Sequence, residues 1–171
     1  MGKLILKRSV IDDPWQLLPA DASEIPAQSD VIVPLALWRA RRESLAKQEG
    51  RAAREGRIGV WLEGSDDAGE LKADFATLGT IAFHVPKFAD GRVYSNGRLL
   101  RERDGWRGEM RVFGDIWRDH LLMLERCGFD AFVVRASEDP VAALAAFGEH
   151  SDQYQASVSQ PQPLFRRRTD A

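Results

Sequence analysis

Lys87, Asp90, Arg92, Ser95, Arg98, Arg101, Glu109, Arg111, Asp115 and Asp119 crowd into one stretch of the chain, with Glu63, His84 and Arg135 flanking it. Arginine forks grip sulfate, phosphate or carboxylate through paired hydrogen bonds, and a helix start offers free amides and a positive dipole end. The chemistry offered by this set is capture of a small anion. Arg92 and Arg111 hold it, Ser95 and Asp115 orient helix starts, and Asp90 and Glu109 position the arginines or serve as acids. The competing reading makes the same groups buried ion pairs and caps that fix loop geometry. His84 is a candidate general base near Glu109, or else a hydrogen-bonded core residue.

Other chemistries find little support. No spacing of His, Cys and carboxylate residues points to a metal. Cys127 precedes Gly128 at an expected helix C-terminus, where the negative dipole end disfavours a thiolate nucleophile. The stretch around Gly91 and Gly97 lacks the glycine spacing of a dinucleotide fingerprint, there is no P-loop, and one cysteine cannot hold an iron–sulfur cluster, so no cofactor is evident. Trp15, Trp38, Trp61, Trp106 and Trp117 are read as core or interface residues before flavin-stacking ones.

These side chains need a scaffold, and the hydrophobic period supplies one by alternating short β-rich runs with amphipathic segments. Strands are predicted over 3–8, 31–38, 58–62, 80–85, 109–113 and 131–135, with Pro34 marking an edge or bulge. Helices are predicted over 36–55 with Gly56 as the stop, and over 68–78, 96–103 and 116–127. Ser95 reads as an N-cap, with Tyr94 and Leu99 as a hydrophobic staple, and Asp115 as the next cap. Residues 1–30 form an N-terminal extension with an irregular Asp, Pro and Ala-rich part, 31–150 a single α/β domain, and 151–171 a tail that docks as an extended peptide or stays disordered.

Strand alternation assigns Val60, Leu62, Ile81, Phe83, Val85, Met110, Val112, Phe132 and Val134 to one face. Trp61, Glu63, His84, Glu109, Arg111 and Arg135 fall on the other. A sheet covered by helices on both sides is apolar on both, so the polar second face favours a partial, half TIM-barrel-like α/β sheet, mainly parallel. The alternative is an open flavodoxin-like three-layer sheet. About five βα units fall short of a closed barrel, which raises a homodimer as the way to complete the sheet. With 24 basic and 26 acidic residues and a net charge of −2, nothing draws the chain to nucleic acid. The absence of a long apolar run or signal-like N-terminus makes a soluble cytoplasmic protein the expectation, with no membrane partner.

The motifs PKFADGR (86–92), YSNGRLLRER (94–103), GEMR (108–111), GDIWRDHL (114–121) and RCGFDAF (126–132) also carry a resemblance. With Tyr154, Gln155 and PLFRRR near the end, they resemble, in order, the bacterial family catalogued as domain of unknown function 934. The likeness covers about residues 80–168. The chain departs from the family pattern at Val93, where glycine is usual, at Val112 and Phe113, where alanine and valine are, and at His120, where glutamine is. The resemblance implies an association with assimilatory sulfite reduction, beside a sulfite or nitrite reductase haemoprotein. It carries over no catalytic residue. The expected role is an accessory, anion-binding protein. The alternatives are an oxidoreductase using a flavin or nicotinamide and a structural adaptor for the haemoprotein.

Overall fold

The computed structural model describes residues 2–46 and 56–167. Eight strands form one sheet: β1 (Lys3–Leu6), β2 (Ser9–Asp12), β3 (Gln16–Leu17), β4 (Val31–Pro34), β5 (Ile58–Leu62), β6 (Thr80–Val85), β7 (Glu109–Gly114) and β8 (Ala131–Phe132). Strands β3 to β8 are parallel and adjacent in chain order, and the antiparallel β1–β2 hairpin continues the sheet beyond β8. Parallel strand connections are right-handed as a rule, and crossovers that always step the same way then leave their helices on one face. A flavodoxin-like order, which reverses direction, would cover both. Helix residues accordingly join only the core on the Val60, Phe83 and Val112 side, through Trp38 of α1 (Leu35–Ala46), Leu100 of α2 (Arg92–Glu102) and Leu124 of α3 (Leu121–Arg126). The other face carries the small cluster of Trp15, Ile32, Trp61 and Ala82, with Phe113 packed against it. The sheet is a curled, half-barrel α/β fold, as the polar face predicts.

The curl is enforced by the chain itself. Strands β2 and β3 lie at opposite edges of the sheet, yet only residues 13–15 separate them. Laid flat, eight strands at about 4.8 Å spacing put their edges roughly 34 Å apart. The link from Asp12 to Gln16 reaches at most about 14 Å. The edges must therefore approach each other at that end, and the link crosses the concave face. The completion for which a second copy was invoked comes in part from residues 3–17, much of it expected to be irregular.

Several local expectations are corrected. Strand β4 stops at Pro34 and α1 begins at Leu35. Pro34 sits in an inner strand, but β3 pairs only with Val31 and Ile32, so its missing amide costs no ladder bond on that side. Helix α1 is described to Ala46, and the predicted end at Gly56 involves residues outside those described. Residues 68–78 form a 3₁₀ segment (Ala68–Asp74), capped by Asp67, whose side chain accepts from the Gly69 amide. The hairpin turn uses Lys7 and Arg8 at positive φ, 47° and 63°, where glycine or asparagine is customary. Part of the tail is ordered: Leu164–Arg167 forms a short helix, α5, after the four-residue α4 (Pro140–Ala143), and the Leu164 amide donates to the Tyr154 carbonyl. Among the described residues no helix is long and apolar enough to cross a membrane.

Candidate functional site

Two layers of polar groups occupy the concave side. The lower layer is ionic and closed. Arg111 of β7 is 2% exposed. Its Nη1 donates to both Asp13 carboxylate oxygens at 3.0 and 2.8 Å, and its Nε and Nη2 donate to Glu109 at 3.3 and 3.1 Å. Asp13 belongs to the link across the face. Beside it Trp15 packs on Gly79, and Trp61 donates its indole N–H to the Leu18 carbonyl at 2.9 Å. The expectation that Arg111 holds an anion meets two protein carboxylates already filling that role. Nothing in the sequence pairs Asp13 with Arg111, since only the crossing link brings them together.

The upper layer lies at the C-terminal ends of β5 to β8, the edge where parallel α/β folds bind ligands. Glu63 follows β5 and accepts from or faces His84 Nδ1 at 2.9 Å. His84 does not meet Glu109. The β6–β7 register pairs Thr80 with Glu109 and His84 with Phe113, so Glu109 sits at the opposite end of the strand. The imidazole stacks on Phe113 with centroids 5.1 Å apart and meets Trp61 edge-on at 6.0 Å, which fixes its plane. Its Nε2 has no hydrogen-bond partner among the described residues. Gly114, at φ +110°, turns the chain where a Cβ would lie 2.3 Å from the Val85 carbonyl oxygen and 3.0 Å from the His84 ring, so glycine is required there.

Three cations lie beyond the strand ends at the same edge of the sheet. Arg92 opens α2 and forks onto Asp90, Nε to Oδ1 at 2.9 Å and Nη2 to Oδ2 at 2.6 Å, with its side chain lying against Gly64. Asn96 donates to the Gly64 carbonyl and ties α2 to the β5 loop. Lys87 is exposed and its ammonium has no partner among the described residues. Arg135 donates one Nη1 bond to Asp115 at 3.3 Å and lies 4.1 Å over the Trp117 ring, while its Nε and Nη2 have no hydrogen-bond partner among the described residues. Asp115 caps no helix. It accepts from the Phe88 amide and the Trp117 indole at 2.9 and 3.0 Å and so clamps the loops after β6 and β7 together. The expected helix over 116–127 begins as a 3₁₀ turn (Arg118–His120) before α3.

The arginine on Asp90 holds that carboxyl down to about 2, against an ordinary value of 3.8. Because the folded value is depressed, the stabilisation is present above the ordinary value and is lost as pH falls toward 2. Asp90→Asn is expected to lower the melting temperature at neutral pH, with the difference shrinking as pH falls through about 2, which thermal melts across the acid range will read.

The remaining expected residues stand elsewhere. Ser95 is an exposed residue inside α2, not its cap: the helix begins at Arg92, whose amide donates to Asp90 Oδ1, with Gly91 in the cap position. Leu99 is 43% exposed, and Val93 and Leu100 make the buried stripe in place of the Tyr94–Leu99 staple. Arg98 pairs with Glu102 one turn along the helix. Arg101 is buried and satisfies the carbonyls of Gly128, Trp106 and Gly108 as well as Asp130. Burial lowers its pKa and raises that of Asp130. Asp119 is exposed on the outer helical layer, where it lines a groove of about 420 Å³ with Leu122, Met123, Arg126 and Tyr154, away from the rim. Burial raises the Cys127 thiol pKa, in line with an inert cysteine. Sequence reasoning missed Asp13, Gly64, Phe88, Asn96 and Trp117. For Phe88 and Trp117 a signal existed, an aromatic residue just beyond each of two adjacent strand ends.

No curated protein matches the chain. Residues 59–165 match the family model described as bacterial protein of unknown function (DUF934). That match spans β5 to β8, four of the eight strands described, and the whole rim from Glu63 to Arg135, and the chain belongs to this family.

Proposed function

We propose that this protein is an accessory factor of assimilatory sulfite reduction that binds a small oxyanion at the rim of the concave face and serves a sulfite or nitrite reductase haemoprotein. The family resemblance supports the setting. The observation that carries the binding reading is a contrast between arginines. Arg101 and Arg111 are buried and spend their donors on carbonyls and carboxylates, as structural arginines do. Lys87 and Arg92 follow β6 and Arg135 follows β8, all at the ligand edge, and among the described residues they keep donors in reserve: all of the Lys87 ammonium, Nη1 of Arg92, and Nε and Nη2 of Arg135. An anion placed there gains charge-assisted bonds without breaking any in the protein.

Calorimetric titration with sulfite, phosphate and sulfate tests the binding. At least one is expected to bind with a dissociation constant of about 1 mM or tighter, worth roughly 4 kcal/mol. The double variant Lys87→Ala, Arg135→Ala is expected to weaken it at least tenfold, with only a small fall in melting temperature from the lost Asp115 and Trp117 contacts. No heat from any of the three would remove the binding reading. A strain lacking the gene is expected to fail on sulfate and sulfite and to grow on cysteine. Normal growth on all sulfur sources would remove the metabolic setting.

A further inference from the structure

His84 adds to the rim something the cations do not, a fixed acceptor. Its Nδ1 lies 2.9 Å from Glu63 Oε1. A carboxylate only accepts, so in the neutral ring the proton resides on Nδ1 and Nε2 carries a lone pair. Phe113 stacked on one face and Trp61 at the edge prevent the ring from turning that lone pair away. The neighbouring polar groups are Glu63, Asp90 and Arg92; Asp90 is close enough for its charge to respond to His84, and Arg92 sits against Gly64 beside Glu63. A ligand that contacts both Arg92 and His84 meets donors in the first and an acceptor in Nε2.

We infer that the site selects oxyanions that carry a proton, taking the hydrogen forms of phosphate and sulfite and rejecting sulfate, with His84 as the residue that discriminates and Glu63 as its positioning residue. Sulfate at neutral pH is acceptor-only, so its oxygen meets the Nε2 lone pair with repulsion and an unmade hydrogen bond. A protonated oxyanion donates its O–H into the same lone pair. Rejection by a fixed acceptor of a ligand with no matching donor adds selectivity that the cations alone lack, because the mismatch sets two acceptors against each other.

This inference rests on the anion-binding reading above, and the test separates the two. Phosphate, sulfite and sulfate are titrated into the full chain at neutral pH, and into His84→Phe, which keeps a ring stacked on Phe113 and removes Nε2. In the unaltered protein, phosphate and sulfite are expected to bind at least tenfold tighter than sulfate. In His84→Phe the ratio falls to about one, chiefly through weaker phosphate and sulfite binding. Sulfate binding as tightly as phosphate to the unaltered protein overturns the inference and leaves the anion site standing, whereas silence from all three anions removes both. Nitrogen-15 NMR of the His84 ring provides a measurement that needs no variant. Where the ring is neutral its proton is expected on Nδ1, and a proton on Nε2 overturns the assignment of the acceptor.

Discussion

Arg111→Met is expected to destabilise the protein by about 3–5 kcal/mol, the cost of leaving buried carboxylates without their cation. For a chain of this size that corresponds to a fall in Tm of roughly 6–20 °C. The reason is geometric: Asp13 and Glu109 are mostly buried and both point at the one guanidinium, which makes four hydrogen bonds to them. Removing the arginine alone strands two negative charges on the concave face. Neutralising them as well, in Asp13→Asn, Glu109→Gln, Arg111→Met, is expected to recover much of the loss, because a buried ionic cluster is hard to improve by halves but tolerates replacement as a unit. Thermal and urea denaturation of the single and triple variants check this. A single variant that melts normally yet loses oxyanion binding would return Arg111 to the ligand site.

The second large effect lies in the helical layer, where α2 and the loop after α3 meet at a glycine. A Cβ on Gly97 would fall 2.3 Å from the edge of the Phe129 ring, and Phe129 is 1% exposed with its ring 5.7 Å from that of Phe83. Phe129→Ala is expected to cost about 3–5 kcal/mol through lost burial and the cavity left behind. Gly97→Ala alone is expected to cost about 1–3 kcal/mol by overpacking, despite alanine's better helix propensity. Combined, the two should cost less than their sum, since the new methyl enters the space the ring vacates and alanine then favours the helix. Urea denaturation of the two single variants and the double closes the cycle. Strict additivity would mean that Gly97 is small for some other reason.

The parallel sheet, its polar face and the gathering of charge at one edge were legible because they depend on periodicity, and alternation along β5, β6 and β7 assigns each side chain a face without tertiary knowledge. The same alternation put Glu63 and His84 on one face. It could not pair them, because that takes the register between β5 and β6. Choosing Glu109 for His84 was an error of this kind, since a residue on the right strand and the right face can still lie at the wrong end. Ser95 failed for a different reason. Its tyrosine–leucine context fits a helix start, but Asp90 offers an acceptor earlier and Arg92 can fork onto it, so the helix begins four residues sooner. The sorting of arginines into structural and unspent ones was out of reach altogether, because it depends on partners such as Asp13 and the Gly108 carbonyl that folding delivers from elsewhere in the chain.

The way the sheet closes also bears on how the molecule comes to be folded. Strand β1 is synthesised before the rest of the sheet, and its hairpin with β2 is a local structure that can form at once. Its other neighbour is β8, however, where Ile5 pairs with Phe132. The hairpin must wait, one edge unpaired, until nearly the whole parallel sheet has been made. Contacts between such distant parts of a chain raise contact order and slow folding. A chain interrupted before residue 131 would keep that edge open, with the fully buried Leu4 and Ile5 of the finished protein left without cover. The last of the eight strands described, only two residues long, thus acts as the latch that ends the period during which this protein is most exposed to aggregation.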